Sequence, residues 1–197
     1  MHKPVAPSCD ENWQPILQCI KGLFTEPETL LEIGSGTGQH AVYLCPHLPH
    51  LRWQPSDLAD QIEGMEQWFK DAELPQILSP KTLDVSEENW LDEPVGYVFT
   101  ANTTHIMSWQ KVQHMFAGIG RHLKSGGLFA QYGPFNYNGE YTSPSNARFD
   151  EWLKQRDPQS GIRHFEELAQ LARENSLILH SDNEMPENNR ILVWQKL

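Results

Sequence analysis

Apolar positions along the chain alternate between helical spacing and short continuous runs. Trp13, Ile16, Leu17, Ile20 and Leu23 recur at three- and four-residue steps. This predicts an amphipathic helix with Asp10 as its N-cap, closed near Gly22 and Pro27. Thr29 to Ile33 is a short apolar run that leads directly into glycines, the pattern of a buried strand. His40 to Leu48 reads as a helix interrupted by Pro46 and Pro49. Leu51 to Gln54 reads as a second strand ending near Asp57, and Lys81 to Val85 and Val95 to Ala101 as a third and fourth. Ile62, Met65, Trp68, Phe69 and Ala72 mark a helix between the second and third strands. Val112, Met115, Phe116, Ile119 and Leu123 mark another after the fourth, with Gly126-Gly127 as its C-cap. Leu128 to Tyr132 is a fifth strand. Two helical pieces follow, around Phe149, Trp152 and Leu153 and around Phe165, Leu168, Ala169 and Ala172. Leu177–Leu179 and Ile191–Trp194 are the last two strands.

Alternating strands and helices predict an α/β fold, a doubly wound and mostly parallel seven-stranded Rossmann-like sheet. The segment Asn183 to Asn189 is too short for a parallel crossover. One strand near the C-terminus is therefore expected to run antiparallel. The 197 residues suit one domain over 1–197. Residues 1–10 are expected to be flexible, and residues 133–161, long for a connection, to act as a lid or substrate segment.

The most informative stretch is Glu32-Ile33-Gly34-Ser35-Gly36-Thr37-Gly38. Glycines at a strand end let the backbone turn sharply and approach a ligand. The following helix offers free N–H groups. Dinucleotide binders usually carry G-x-G-x-x-G, but here the third glycine falls one residue earlier and Gln39 stands at its usual place. A nucleoside bearing an amino acid fits this turn better than a pyrophosphate. Asp57 follows Gly38 by 19 residues, the offset of an acid that accepts ribose hydroxyls. It is equally suited to capping the next helix. Asp84, at the end of the third strand, could accept from an exocyclic amino group or serve as an ordinary loop acid. Glu32 lies inside an apolar strand and needs a donor, such as an ammonium or backbone N–H groups.

These residues resemble the Rossmann-like, S-adenosylmethionine-dependent methyltransferases. Leu31 to Gly38 is similar to the class's glycine signature, and Leu123-Lys124-Ser125-Gly126-Gly127 to its turn before the fifth strand. A closer resemblance covers nearly the whole chain and is to the uncharacterised methyltransferase-like 26 family. Its strings include Pro15-Ile16-Leu17, Gly36 to His40, Trp53 to Asp57, Tyr132 to Phe135, Asn138-Gly139, Ser145-Asn146, Phe149-Asp150 and Met185 to Asn189. The resemblance implies S-adenosyl-L-methionine as cofactor, with S-adenosyl-L-homocysteine as product. It implies that Glu32, Gly34, Ser35, Gly36, Thr37 and Gly38 line the cofactor site. Asp57 would hold the ribose, Asp84 and Val85 the adenine, and Ala101 and Asn102 the face beside the sulfonium. The family often has Arg-Asn-Lys where this chain has Glu11-Asn12-Trp13, so a basic contact to the cofactor carboxylate would be absent.

The expected reaction is methyl transfer to a small-molecule acceptor. His105 and Tyr132, after the fourth strand and at the end of the fifth, are candidates for acid–base or orienting roles. His105 could equally be structural. Asn136, Tyr137 and Asn138 suit a small polar substrate or a surface turn. Cys45, His47 and His50 follow no zinc spacing, and no metal is expected. Cys9, Cys19 and Cys45 make an odd count without CxxC, which suits free thiols in a reducing cytoplasm. No secretory signal or membrane span is expected. A net charge of −11 argues against nucleic-acid partners. The acceptor and the oligomeric state are not legible. Two other readings stay open: a non-catalytic protein that binds the same cofactor, and a nicotinamide-dependent oxidoreductase. Gln39 and the antiparallel end argue against the latter.

Overall fold

The computed structural model describes residues 3–197. The elements in chain order are α1 (Pro7–Ile20), β1 (Thr29–Ile33), α2 (Gln39–Leu44), β2 (Arg52–Asp57), α3 (Ile62–Ala72), β3 (Lys81–Thr82), β4 (Val95–Ala101), α4 (Trp109–His122) and β5 (Leu123–Gly133). They continue as β6 (Phe135–Asn136), α5 (Pro144–Arg156), β7 (Arg163–His164), α6 (Phe165–Glu174), β8 (Leu177–Glu184) and β9 (Arg190–Lys196).

Seven strands form one sheet in the order β3-β2-β1-β4-β5-β9-β8. β1 pairs in parallel on both edges, with β2 and β4, which explains its unbroken apolar run. β9 is antiparallel to both β5 and β8, as the short connection requires. Alternate side chains divide the core between the two faces. Leu30, Tyr97 and Phe99 pack with Ile16, Ile20 and Leu44 of α1 and α2. Leu31, Val98 and Phe129 pack with Val112, Phe116 and Leu168 of α4 and α6. No described helix is long and apolar enough to cross a membrane.

Local expectations need four corrections. First, α1 begins at Pro7, with Ala6 rather than Asp10 at the N-cap. Proline at the first helical position is favourable because it has no N–H to lose. The segment 1–10 thus holds the first turn of a helix, and Met1 and His2 lie outside the described residues. Asp10 instead accepts from Tyr43 Oη at 2.7 Å and Gln39 Nε2 at 3.1 Å. Second, the third strand is only two residues long, because Leu83 and Val85 turn inward and are buried. Third, Gly126 and Gly127 do not cap α4. That helix ends at His122 and runs directly into β5, where the glycines occupy a register shift against β4. A Cβ on Gly127 would sit 2.7 Å from the Gly96 carbonyl oxygen. Fourth, β6 and β7 form a small parallel pair that no local pattern announced.

Candidate functional site

The turn from β1 into α2 has three left-handed residues, Gly34, Gly36 and Gly38, with φ of 70°, 56° and 82°. A Cβ on Gly34 would lie 2.8 Å from the Thr103 side chain, and one on Gly38 the same distance from the Phe69 ring. A Cβ on Gly36 would meet nothing within 4 Å. The middle of the turn therefore faces open space, while its two ends are packed.

Asp57, at the end of β2, is drawn to this turn. Its Oδ2 accepts from the Gly36 N–H at 2.7 Å and its Oδ1 from the Leu58 N–H at 2.8 Å. Burial pushes its carboxyl above the usual range, and the two N–H groups oppose that shift. Asp57 does not cap the next helix: α3 starts at Ile62 with Gln61 at its N-cap, and the Leu58 N–H that Asp57 engages belongs to the turn before it. Asp84 accepts from the Ser86 N–H at 2.9 Å and lies 3.5 Å from Lys111 Nζ. These partners hold its carboxyl below the usual value.

A cavity of about 630 Å³ opens above Gly36. Gly34, Ser35, Gly36 and Thr37 line it from the turn, and Asp57, Asp84 and Val85 from the strand ends. Ala101 and Asn102 close its far side. Two candidates are not on its wall. Gly38 faces Phe69 and Met65. Glu32 is 1% exposed and lies beneath the turn. Its Oε2 accepts from Ser35 Oγ and from Trp53 Nε1, each at 2.9 Å. Its donors are thus a hydroxyl and an indole, not the ammonium or backbone N–H groups expected. Burial pushes the Glu32 carboxyl up to about 7, against those two hydrogen bonds.

A second cavity, of about 830 Å³, adjoins the first, and Ser8, Asn102, Ile106 and Asp157 face both. Asn102 takes a left-handed conformation, φ 57°, and its N–H donates to the Tyr132 carbonyl at 3.0 Å. His105 and Tyr132 both line this second chamber. The His105 ring meets Phe149 edge-on at 5.3 Å and has no hydrogen-bond partner among the described residues. Burial, with Arg163 nearby, holds its imidazole down at about 4, so it is neutral at physiological pH. Burial pushes the Tyr132 phenol up to about 12, so it keeps its proton.

Asn136, Tyr137 and Asn138, the expected substrate residues, line neither of these two chambers. Asn136 is buried on β6, with its Oδ1 unpartnered. Tyr137 donates to Asp182 at 2.8 Å and stacks on Phe165. Asn138 is an exposed left-handed turn residue. The second chamber is walled instead by Glu11, Asn146, Phe149, Trp152, Glu187 and others from three distant segments. Of these, Asn146, Phe149 and Glu187 fall in the strings that resemble a known family, whereas Glu11 and Trp152 carried no signal.

Cys9, His40 and Asn12 form a buried chain. Cys9 Sγ is 3.7 Å from His40 Nδ1, and His40 Nε2 is 2.8 Å from Asn12 Oδ1. This order of groups suits a nucleophile, but the electrostatics oppose it. Burial pushes the thiol up to about 12 and the imidazole down to about 4. Both are neutral, and the chain serves packing.

A family model described as "Protein of unknown function (DUF938)" matches residues 3–196. The chain belongs to the DUF938 family. Solved structures similar to this DUF938 chain include O-methyltransferases. One is the mitomycin 7-O-methyltransferase MmcR, with a TM-score of 0.82, 16% identity, and coverage of 96% of this chain and 54% of that one. Another is NcsB1, an O-methyltransferase from neocarzinostatin biosynthesis, in complex with S-adenosylmethionine and 2-hydroxy-5-methyl naphthoic acid. Its TM-score is 0.78 at 14% identity, over 96% of this chain and 55% of that one. Human N-acetylserotonin methyltransferase in complex with S-adenosylmethionine gives 0.77 at 14% identity, over 93% and 51%. The DUF938 chain spans about half the length of these proteins. At such identities the likeness establishes the fold.

Proposed function

We propose that this chain transfers a methyl group from S-adenosyl-L-methionine to a small-molecule acceptor by in-line displacement. The observation that carries this reading is the junction of the two chambers at Asn102, one opening on a bare glycine turn and the other on an aromatic wall. The first chamber lies within the roughly 300–1,000 Å³ typical of ligand sites. Open space over Gly36 fits close approach of a ligand, and Asp57 keeps lone pairs free for ribose hydroxyls. Asp84 and Val85 fit an adenine edge, and Ala101 and Asn102 the sulfonium side. When bound, the cofactor supplies an electrophilic methyl group.

The residues of the second chamber orient the acceptor. Neutral His105 accepts a hydrogen bond from an incoming hydroxyl or amine, and protonated Tyr132 donates one. With His105 so weakly basic, alignment carries most of the rate, and orientation can supply on the order of 7–11 kcal/mol. Residues 133–161 contribute Pro134, Asn146, Phe149 and Trp152 to this wall, which suits a substrate segment. The strings shared with the methyltransferase-like 26 family run through both chambers and support that finer kinship. Binding of S-adenosylmethionine by NcsB1 and by human N-acetylserotonin methyltransferase supports the choice of cofactor.

Calorimetry with S-adenosylhomocysteine tests the reading. Asp57→Asn keeps an acceptor for the Gly36 N–H but loses the charge-assisted ribose bonds. It is expected to weaken binding by about 1.5–3 kcal/mol. Equal affinity would put the ribose elsewhere. No binding to the unmodified protein at millimolar ligand would overturn the reading.

A further inference from the structure

The charges around the second chamber do not balance. Glu11, Asp157 and Glu187 line it, and none forms an ion pair among the described residues. Arg156 is the one Arg or Lys among the described residues of its wall. It is exposed, with its guanidinium over the Trp152 ring, 4.6 Å from the centroid. Neighbouring cations are committed elsewhere. Lys154 pairs with Asp150, Arg190 with Asp182 and Glu184, and Lys111 with Asp84. Arg163 donates to the carbonyls of Thr104, Met107 and Gln159.

Two further observations point to a ligand in this chamber. The His105 imidazole is 5% exposed and lines the chamber without a hydrogen-bond partner among the described residues, so an acceptor nitrogen is open to an incoming N–H or O–H. Phe149 and Trp152 line the same chamber and stack on each other at 5.8 Å and 18°. Aromatic faces beside unpaired carboxylates attract an organic cation through two mechanisms, ring quadrupole and charge.

We propose that the second chamber selects an acceptor with a flat apolar body and a protonated amine, the amine held by Glu11 and Glu187 and the body against Phe149 and Trp152. The word acceptor rests on the methyl-transfer reading, whereas the charge selectivity stands apart from it. Both glutamates share this chamber with Tyr132, and their charge disfavours ionisation of its phenol.

The test is calorimetric titration of the full chain, without cofactor, with three probes of like shape: tyramine (a cation), para-ethylphenol (neutral) and phloretic acid (an anion). Tyramine is expected to bind about tenfold tighter than phloretic acid, the difference between a partly exposed ion pair gained and a like-charge contact incurred. The double variant Glu11→Gln, Glu187→Gln is expected to bring the two within about twofold, with an unchanged urea midpoint. A preference for phloretic acid, equal binding, binding of none of the probes, or a tyramine preference that survives in the double variant would each overturn the proposal. S-adenosylhomocysteine is titrated in parallel against the unmodified protein. Failure there with the tyramine preference intact sinks methyl transfer but not the charge selectivity. The reverse outcome sinks only the latter.

Discussion

Trp53→Ala is expected to bring the chain close to unfolding. Trp53 is fully buried on β2 and meets Phe99 edge-on at 6.0 Å. Removing so large a side chain from a packed core costs about 3–5 kcal/mol. Its indole N–H is also one of two donors to the buried Glu32 carboxylate. Leaving that group short of a donor adds about 1–3 kcal/mol. The sum is comparable to the whole stability of an ordinary domain, about 5–15 kcal/mol. Trp53→Phe separates the two effects, since it keeps most of the volume and loses only the N–H. Urea unfolding followed by circular dichroism is the measurement. A midpoint for Trp53→Ala within about 1 kcal/mol of the unmodified protein would contradict this account.

The second large effect depends on pH. Folding raises the Glu32 carboxyl from 4.5 to about 7. Its folded state therefore holds a proton that the unfolded chain has released. The resulting loss of stability begins as pH rises past about 4.5, grows to about 7 and is complete above it. Glu32→Gln, which still accepts from Ser35 and Trp53, escapes this loss. The stability of the variant minus that of the unmodified protein is expected to grow by about 3 kcal/mol across the window. His40 and His105 act in the opposite sense, since folding lowers both from 6.5 to about 4 and acid destabilises them below about 6.5. Both proteins carry these histidines, so they cancel in the difference. A difference that stays flat from pH 4.5 to 7 would mean that Glu32 is not desolvated as described.

The sheet was legible because its signals are local. Period-two and continuous apolar runs mark β1, β4 and β5, and a five-residue gap between β8 and β9 forces the antiparallel pairing. Asp57 was found by its spacing from the glycines, and it does reach them. What escaped depends on residues far apart in the chain. Glu32 finds its indole 21 residues away, across the register that pairs Leu30 with Trp53. No window along the strand contains that partner. The second chamber is assembled from α1, α5 and the segment before β9, so no single stretch carries its pattern. Asn138-Gly139 forms the turn that its dipeptide signals. The turn directs Tyr137 onto β8, where Asp182 engages it. Gly126-Gly127 misled for a related reason. A helix cap and a strand irregularity both call for glycine, and only the pairing with β4 separates them.

Ser8, Asn102, Ile106 and Asp157 each present atoms to both chambers. Where both chambers are filled, the two occupants share these four residues, through which either could couple to the other. Such coupling is reciprocal: the factor by which the first ligand changes the affinity of the second equals the factor by which the second changes that of the first. Neither affinity is then a fixed property of the protein, and reversing the order of addition must return the same coupling free energy.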